Sequence, residues 1–177
     1  MKPLLILIAG LLLACTSCDR NTPEQRVHRL LTDRTLTLAT AESCTGGTIA
    51  ARFTALPGAS AYFLGGIVSY SNKSKDILLG VSPDSIAAYG VVSEQVVRLM
   101  AQGVQRVTGA SHTIATTGIA GPTGGTTLQP VGTVWIAVAT PTGVITQKIL
   151  AKGNRNRIIR QAGTSAIEIL EKELLAE

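Results

Sequence analysis

Three short polar segments stand out in a chain that is otherwise rich in small and apolar residues. The first is Ala41-Glu42-Ser43-Cys44-Thr45-Gly46-Gly47, which follows an alternating run and precedes a helical one. A serine at such a strand-to-helix turn is presented as a nucleophile. The paired glycines let a substrate approach the backbone, and free N–H groups at the helix start can hold an oxyanion or an anion. Alone, Ser43 or Thr45 would read more simply as a helix cap. The second segment, Ser69-Tyr70-Ser71-Asn72-Lys73-Ser74-Lys75, leaves the end of an apolar, β-rich run, where α/β proteins place their ligand sites. A lysine desolvated there can lose its proton near neutral pH and act as base to a serine hydroxyl. In isolation, two solvated loop lysines are the simpler reading. The third, Thr116 to Thr126, is glycine-rich and can offer backbone donors to a phosphate or ribose, through Thr117, Gly118 and Gly121 among others. It matches neither the phosphate-loop nor the dinucleotide fingerprint.

The elements that must position these segments follow from periodicity and punctuation. Thr22-Pro23-Glu24-Gln25 starts a helix that runs to Asp33 or Arg34. Leu36 to Ala41 alternates as a strand, and a short helix continues through Ile49, Ala50 and Phe53. Tyr62 to Tyr70 is a second strand. Ser93 caps a helix with Val96, Val97, Met100, Val104 and Val107 on one face. Ile114 to Thr117 and Val131 to Thr140 are strands, and a turn at Pro141-Thr142-Gly143 leads into Val144 to Leu150. A closing helix spans Asn156 to Leu175. Strands alternate with helices and end in a hairpin, which predicts one three-layer α/β/α domain with a mixed sheet.

Composition agrees with that architecture. The 177 residues suffice for one core, and with aromatics at 3% that core must be built from Leu, Ile, Val and Ala. Few aromatics and a net charge of only +5 argue against a nucleic-acid partner. Lys148, Lys152, Arg155, Arg157 and Arg160 form one acid-free run, either a solvated face or an anion site. Residues 1–21 read as a leader and tether, and 22–177 as the domain. Lys2 precedes an apolar run from Leu4 to Ala14, too short to span a bilayer but suited to an export signal. The run ends Leu12-Leu13-Ala14-Cys15, which resembles a lipoprotein cleavage box with Cys15 as the lipidated residue. An exported, membrane-anchored protein is the expectation, with a misassigned start and a cytoplasmic protein as the alternative. Cys15 and Cys18 lack the second pair that a zinc site needs, so no metal is expected.

Taken together, the segments resemble the C-terminal domain family of the competence/damage-inducible protein CinA. The likeness is carried by Thr40 to Gly47, by Gly65-Gly66-Ile67-Val68-Ser69-Tyr70-Ser71-Asn72 with Lys75, by Thr117-Gly118-Ile119-Ala120-Gly121-Pro122, and by Pro130-Val131-Gly132-Thr133-Val134-Trp135. It runs from about Pro23 to the C-terminus. Stand-alone members of the family include nicotinamide-nucleotide amidases. The resemblance therefore implies deamidation of nicotinamide mononucleotide to nicotinate mononucleotide and ammonia, in pyridine nucleotide salvage and without a cofactor or metal. It implies Ser43 as nucleophile, Lys75 as the base that takes its proton, Tyr70 relaying or positioning that proton, and Arg155 on the phosphate. Glu42, Thr45, Gly46 and Gly47, with Thr117, Gly118, Gly121 and Arg155, form the expected substrate-binding set. We also expect a homo-oligomer, and no room for the metal-dependent pyrophosphatase domain of longer members. The sequence departs from the family at Asn154, where Asp is usual, at Gln129, where Lys is usual, and at Ile159, which takes the place of an arginine. Two other readings stay open: Cys44 as nucleophile with Glu42 and Lys75 as partners, and a ligand- or partner-binding lipoprotein that has kept the fold without turnover.

Overall fold

The computed structural model describes residues 22–177. The apolar run from Leu4 to Ala14, Cys15 and Cys18 lie outside the described residues. Helix α1 (Pro23–Asp33) leads into strand β1 (Leu38–Glu42), followed by α2 (Thr48–Thr54) and β2 (Phe63–Val68). Three helices, α3 (Asn72–Leu79), α4 (Pro83–Tyr89) and α5 (Glu94–Thr108), connect β2 to β3 (His112–Gly118). The hairpin β4 (Thr133–Thr140) and β5 (Gly143–Leu150) and the long α6 (Arg155–Ala176) complete the domain. The expected elements are present with ends shifted by a few residues. Helices α3 and α4 occupy a stretch that periodicity leaves unassigned.

The five strands form one mixed sheet in the order β2-β1-β3-β4-β5. β1 runs parallel to both β2 and β3, whereas β4 is antiparallel to β3 and to β5. Helices cover both faces. Val27, Leu31, Ile49, Phe53, Ile158 and Leu170 pack with Ile114, Val134, Ile136 and Val138 on the face of α1, α2 and α6. Val96, Val97, Met100 and Val104 of α5 pack with Ala39, Ala41, Ala115 and Ala137 on the other. The small alanines of the strands let α5 lie close to the sheet. Against its other neighbour, α3, helix α5 packs through Gly103, where an added Cβ would stand 2.2 Å from the Leu79 carbonyl oxygen.

This topology fixes the position of the site. The chain leaves β1 through α2 on one face and leaves β2 through α3, α4 and α5 on the other. The strand order therefore reverses at β1, and a crevice opens at the carboxyl ends of β1, β2 and β3. The register makes those ends level, because Glu42 pairs with Val68 on one side and Thr116 on the other.

Candidate active site

Ser43 is the first residue beyond β1. Its N–H donates to the Thr116 carbonyl at 3.0 Å, and the Glu42 carbonyl accepts from Ser69 N–H at 2.9 Å. These two bonds extend the sheet by one residue and hold Ser43 between the ends of β2 and β3. The chain then turns sharply through Gly46 (φ 63°) and Gly47 (φ 95°), a left-handed pair that glycine adopts without strain. The turn delivers the start of α2.

Lys75 arrives from the other side. Ser71 is the N-cap of α3, its hydroxyl accepting from Ser74 N–H at 3.0 Å, and Gly80 ends the helix in the left-handed region. Lys75 lies one turn into this helix and points under the end of β2 rather than into solvent, with 1% of its surface exposed. Its Nζ donates to the Ser69 carbonyl at 2.7 Å and stands 3.0 Å from Ser43 Oγ. Among the described residues, no carboxylate bonds to it. Burial holds its pKa below that of an ordinary lysine, with the nearby Cys44 acting weakly in the opposite direction. The pair is thus a buried hydroxyl against an amine that sheds its proton more easily than a solvated lysine.

A cavity of about 570 Å³ opens over this pair. Ser43, Lys75, Thr117, Gly118, Gly121 and Arg155 all line it, together with Tyr70, Cys44 and Gln129. Among the described residues, no aspartate or glutamate lines it. Arg155, the first residue of α6, reaches across the mouth. Its Nη2 donates to the Tyr70 hydroxyl at 2.6 Å and its Nη1 to the Gly121 carbonyl at 2.8 Å. Gln129 closes one wall, its Nε2 donating to the Val92 carbonyl at 3.0 Å, and Thr117 Oγ1 donates to the Val91 carbonyl at 2.8 Å. The rest of the basic run is elsewhere: Lys148 lies over the Trp135 ring, and Lys152, Arg157 and Arg160 line a separate groove of about 720 Å³ between β5 and α6, which holds none of the site residues.

Four residues of the expected substrate-binding set do not line the cavity. Glu42 is 1% exposed and turns beneath α2. Its carboxylate accepts from Gly47 N–H at 2.9 Å, Ile49 N–H at 3.1 Å and Ala50 N–H at 2.9 Å. A helix start leaves N–H groups that need acceptors, and an anion there also suits the helix dipole. Glu42 is therefore consumed as the cap of α2. Thr45 is buried against Thr116, hydroxyl to hydroxyl at 2.7 Å, and Gly46 and Gly47 serve the turn. Tyr70 is likewise placed differently from the expected proton relay. Its hydroxyl bonds Arg155, whereas the partners of Lys75 Nζ are Ser43 and Ser69. Burial drives the Cys44 thiol up to about 12, so the thiolate that a cysteine nucleophile requires is not available near neutral pH. Asn154, where the family usually has Asp, caps α6 by accepting from Arg157 N–H at 3.0 Å. Among the described residues, no group of three or more His, Cys, Asp or Glu side chains is placed to hold a metal ion.

Fold and site together define a class: an α/β domain with a buried serine–lysine pair at the carboxyl ends of its parallel strands, beneath an arginine. A family model described as the CinA C-terminal domain matches residues 20–174, and the chain belongs to that family. The chain is 44% identical over 165 residues to a CinA-like protein of Shewanella pealeana, covering 93% of this chain and 39% of that protein. It is 50% identical over 153 residues to a CinA-like protein of Desulfosudis oleivorans, covering 86% of this chain and 37% of the relative. The chain thus spans about two-fifths of the length of these curated relatives. Among solved structures it resembles a CinA superfamily protein of Klebsiella pneumoniae, with a TM-score of 0.84 and 35% identity over 88% of this chain and 97% of that one. It also resembles the competence/damage-inducible protein CihA of Agrobacterium tumefaciens, with a TM-score of 0.81 and 36% identity over 86% and 94% of the two chains.

Proposed function

We propose that this domain is an amidohydrolase that deamidates nicotinamide mononucleotide, using Ser43 as nucleophile and Lys75 as general base and acid. The observation that carries the reading is the 3.0 Å approach of a buried, carboxylate-free amine to a serine hydroxyl at the floor of a cavity. A neutral amine has one lone pair and two N–H groups. With one N–H on the Ser69 carbonyl, the lone pair is free to take the Ser43 proton. Ser43 Oγ attacks the carboxamide carbon as Lys75 Nζ accepts that proton. The tetrahedral oxyanion needs N–H donors, and among the described residues the amides of Cys44 and Thr45 beside the nucleophile donate to no backbone acceptor. Lys75 returns the proton to the leaving nitrogen, the C–N bond breaks and ammonia departs. A water then attacks the acyl-Ser43 ester with Lys75 again as base, releasing the carboxylate product and restoring Ser43.

Arg155 supports the choice of an anionic substrate. Its two bonded acceptors are uncharged, so the guanidinium charge faces the cavity without a carboxylate to neutralise it. Ammonia release from nicotinamide mononucleotide, nicotinamide riboside and free nicotinamide tests the reading. The mononucleotide should be the best substrate of the three. Tight binding of the mononucleotide without ammonia release would instead favour a ligand-binding domain on the same fold.

A further inference from the structure

Resting on that amidase reading, we propose that Tyr70 is a positioning residue for Arg155 and stands outside the proton path. Its hydroxyl and the Gly121 carbonyl form a neutral clamp that fixes the guanidinium over the cavity and selects substrates bearing a phosphate monoester.

The clamp joins three separate parts of the chain: the exit of β2, the loop after β3 and the first residue of α6. Tyr70 is 59% exposed, and its hydroxyl lies 2.6 Å from Arg155 Nη2. A proton relay would need that oxygen on Ser43 Oγ or Lys75 Nζ, and the bonds of Nζ go to Ser43 and Ser69. The second arm is built with equal care. Gly121 sits at φ 77°, and a Cβ there would meet Val131 Cγ1 at 2.5 Å, so only glycine aims this carbonyl at Nη1 without moving the loop.

The neutrality of both arms decides what the clamp does. A carboxylate partner would hold the guanidinium equally well but would cancel its charge. A phenol and a peptide carbonyl fix its position and leave the charge for a ligand, with N–H donors to spare. The start of the 22-residue α6 adds its own positive potential at the same point. Among the described residues that line the cavity, Arg155 and Lys75 are the two basic side chains, and Lys75 is bonded to Ser43 and Ser69 at its floor. A single phosphate monoester matches this arrangement, and a nucleoside without the phosphate gains nothing from it.

The test compares Tyr70→Phe, which removes only the oxygen, with Arg155→Ala on nicotinamide mononucleotide and nicotinamide riboside. Binding of inorganic phosphate is followed alongside by ³¹P NMR. For Tyr70→Phe we expect about a tenfold loss of kcat/KM on the mononucleotide, carried mainly by KM, with a much smaller loss on the riboside and the parental pH profile. Phosphate binding should weaken by a similar factor in both variants. Adding Tyr70→Phe to Arg155→Ala should cause little further loss, because the two residues act as one unit. A fall in kcat on both substrates with an altered pH profile would put Tyr70 in the proton path and overturn the proposal. So would parental phosphate binding by Tyr70→Phe, or no phosphate binding by the parent. A parent that binds phosphate but releases no ammonia would refute the amidase reading instead, and the phosphate titration of the two variants would still decide the clamp.

Discussion

At the scale of single residues, the account turns on two side chains that are 32 positions apart in sequence and 3.0 Å apart in space. Replacing Lys75 by Met keeps most of the buried stem and removes the base, and should lower ammonia release by about 10²- to 10⁴-fold. Lys73→Met should stay near parental activity, because Lys73 is exposed on α3 and does not line the cavity. Equal losses in the two variants would show that Lys75 is not the base. In the parent, kcat should rise with pH through a folded-state pKa below that of a solvated lysine. The same group links stability to pH. Between its folded pKa and the ordinary lysine value the unfolded chain holds a proton that the folded chain lacks, so stability rises with pH across that interval. Lys75→Met removes this dependence. It should be more stable than the parent near neutral pH, with the gain shrinking as the pH is raised, and chemical denaturation at several pH values measures it. Serine and lysine were legible in the sequence as candidates because each sits in a polar segment at the end of an expected strand, and the family resemblance singled out Lys75 over Lys73. The bond from Arg155 to Tyr70 was not legible, since it spans 85 positions and depends on where α6 begins relative to the end of β2.

At the scale of elements, Glu42 shows how a strand can hold a helix. Three N–H groups at the start of α2 converge on its carboxylate from five, seven and eight residues further along the chain. Glu42→Gln offers one oxygen where there were two and sets an N–H₂ group against helix donors. Bonds to a charged acceptor contribute about 1.5–3 kcal/mol each, so a loss of roughly 2 kcal/mol in unfolding free energy is expected. The KM for nicotinamide mononucleotide should change little in comparison. Unaltered stability with a raised KM would mean that Glu42 contacts substrate after all. The sequence pattern missed this role because an ordinary N-cap lies next to its helix, whereas this acceptor is at the end of the preceding strand. Helices α3 and α4 were missed for a related reason. Their apolar side chains do not form an inward stripe: Ile77, Leu78 and Tyr89 are exposed, and Lys75 takes a buried position. What defines α3 is its ends, the Ser71 cap and the Gly80 stop, rather than its periodicity. The amphipathic α5, with Val96, Val97, Met100 and Val104 all buried, carried its own signal.

At the scale of the whole molecule, residues 22–177 hold two packed layers around one sheet, and α1 is fastened at both ends. Arg26 pairs with Glu171 of α6, Glu24 with Arg52 of α2, and Arg34 donates to the Leu174 carbonyl. The fully buried His112 at the start of β3 bonds Glu177 at 3.1 Å, which pins the last residue to the sheet. A chain beginning at Thr22 should therefore fold, unfold in one transition and keep the activity of the full protein. Separate transitions, or a loss of activity, would show that the preceding residues complete the domain. No helix among the described residues is long and apolar enough to cross a membrane. We propose that any membrane attachment resides in residues 1–21. Cell fractionation should place the full chain in the membrane fraction, with Cys15→Ala released from it or left unprocessed. Full-length protein in the soluble cytoplasm with Met1 to Ala14 still attached would contradict the export reading. The claim that organises all of these is that the domain is a serine-based amidase, and the rate of ammonia release from nicotinamide mononucleotide by Ser43→Ala tests it most directly. The account predicts a folded protein, with the parent's circular dichroism and unfolding midpoint, and turnover reduced by several orders of magnitude. Turnover within about tenfold of the parent, a change of only roughly 1.4 kcal/mol in the barrier, would contradict it.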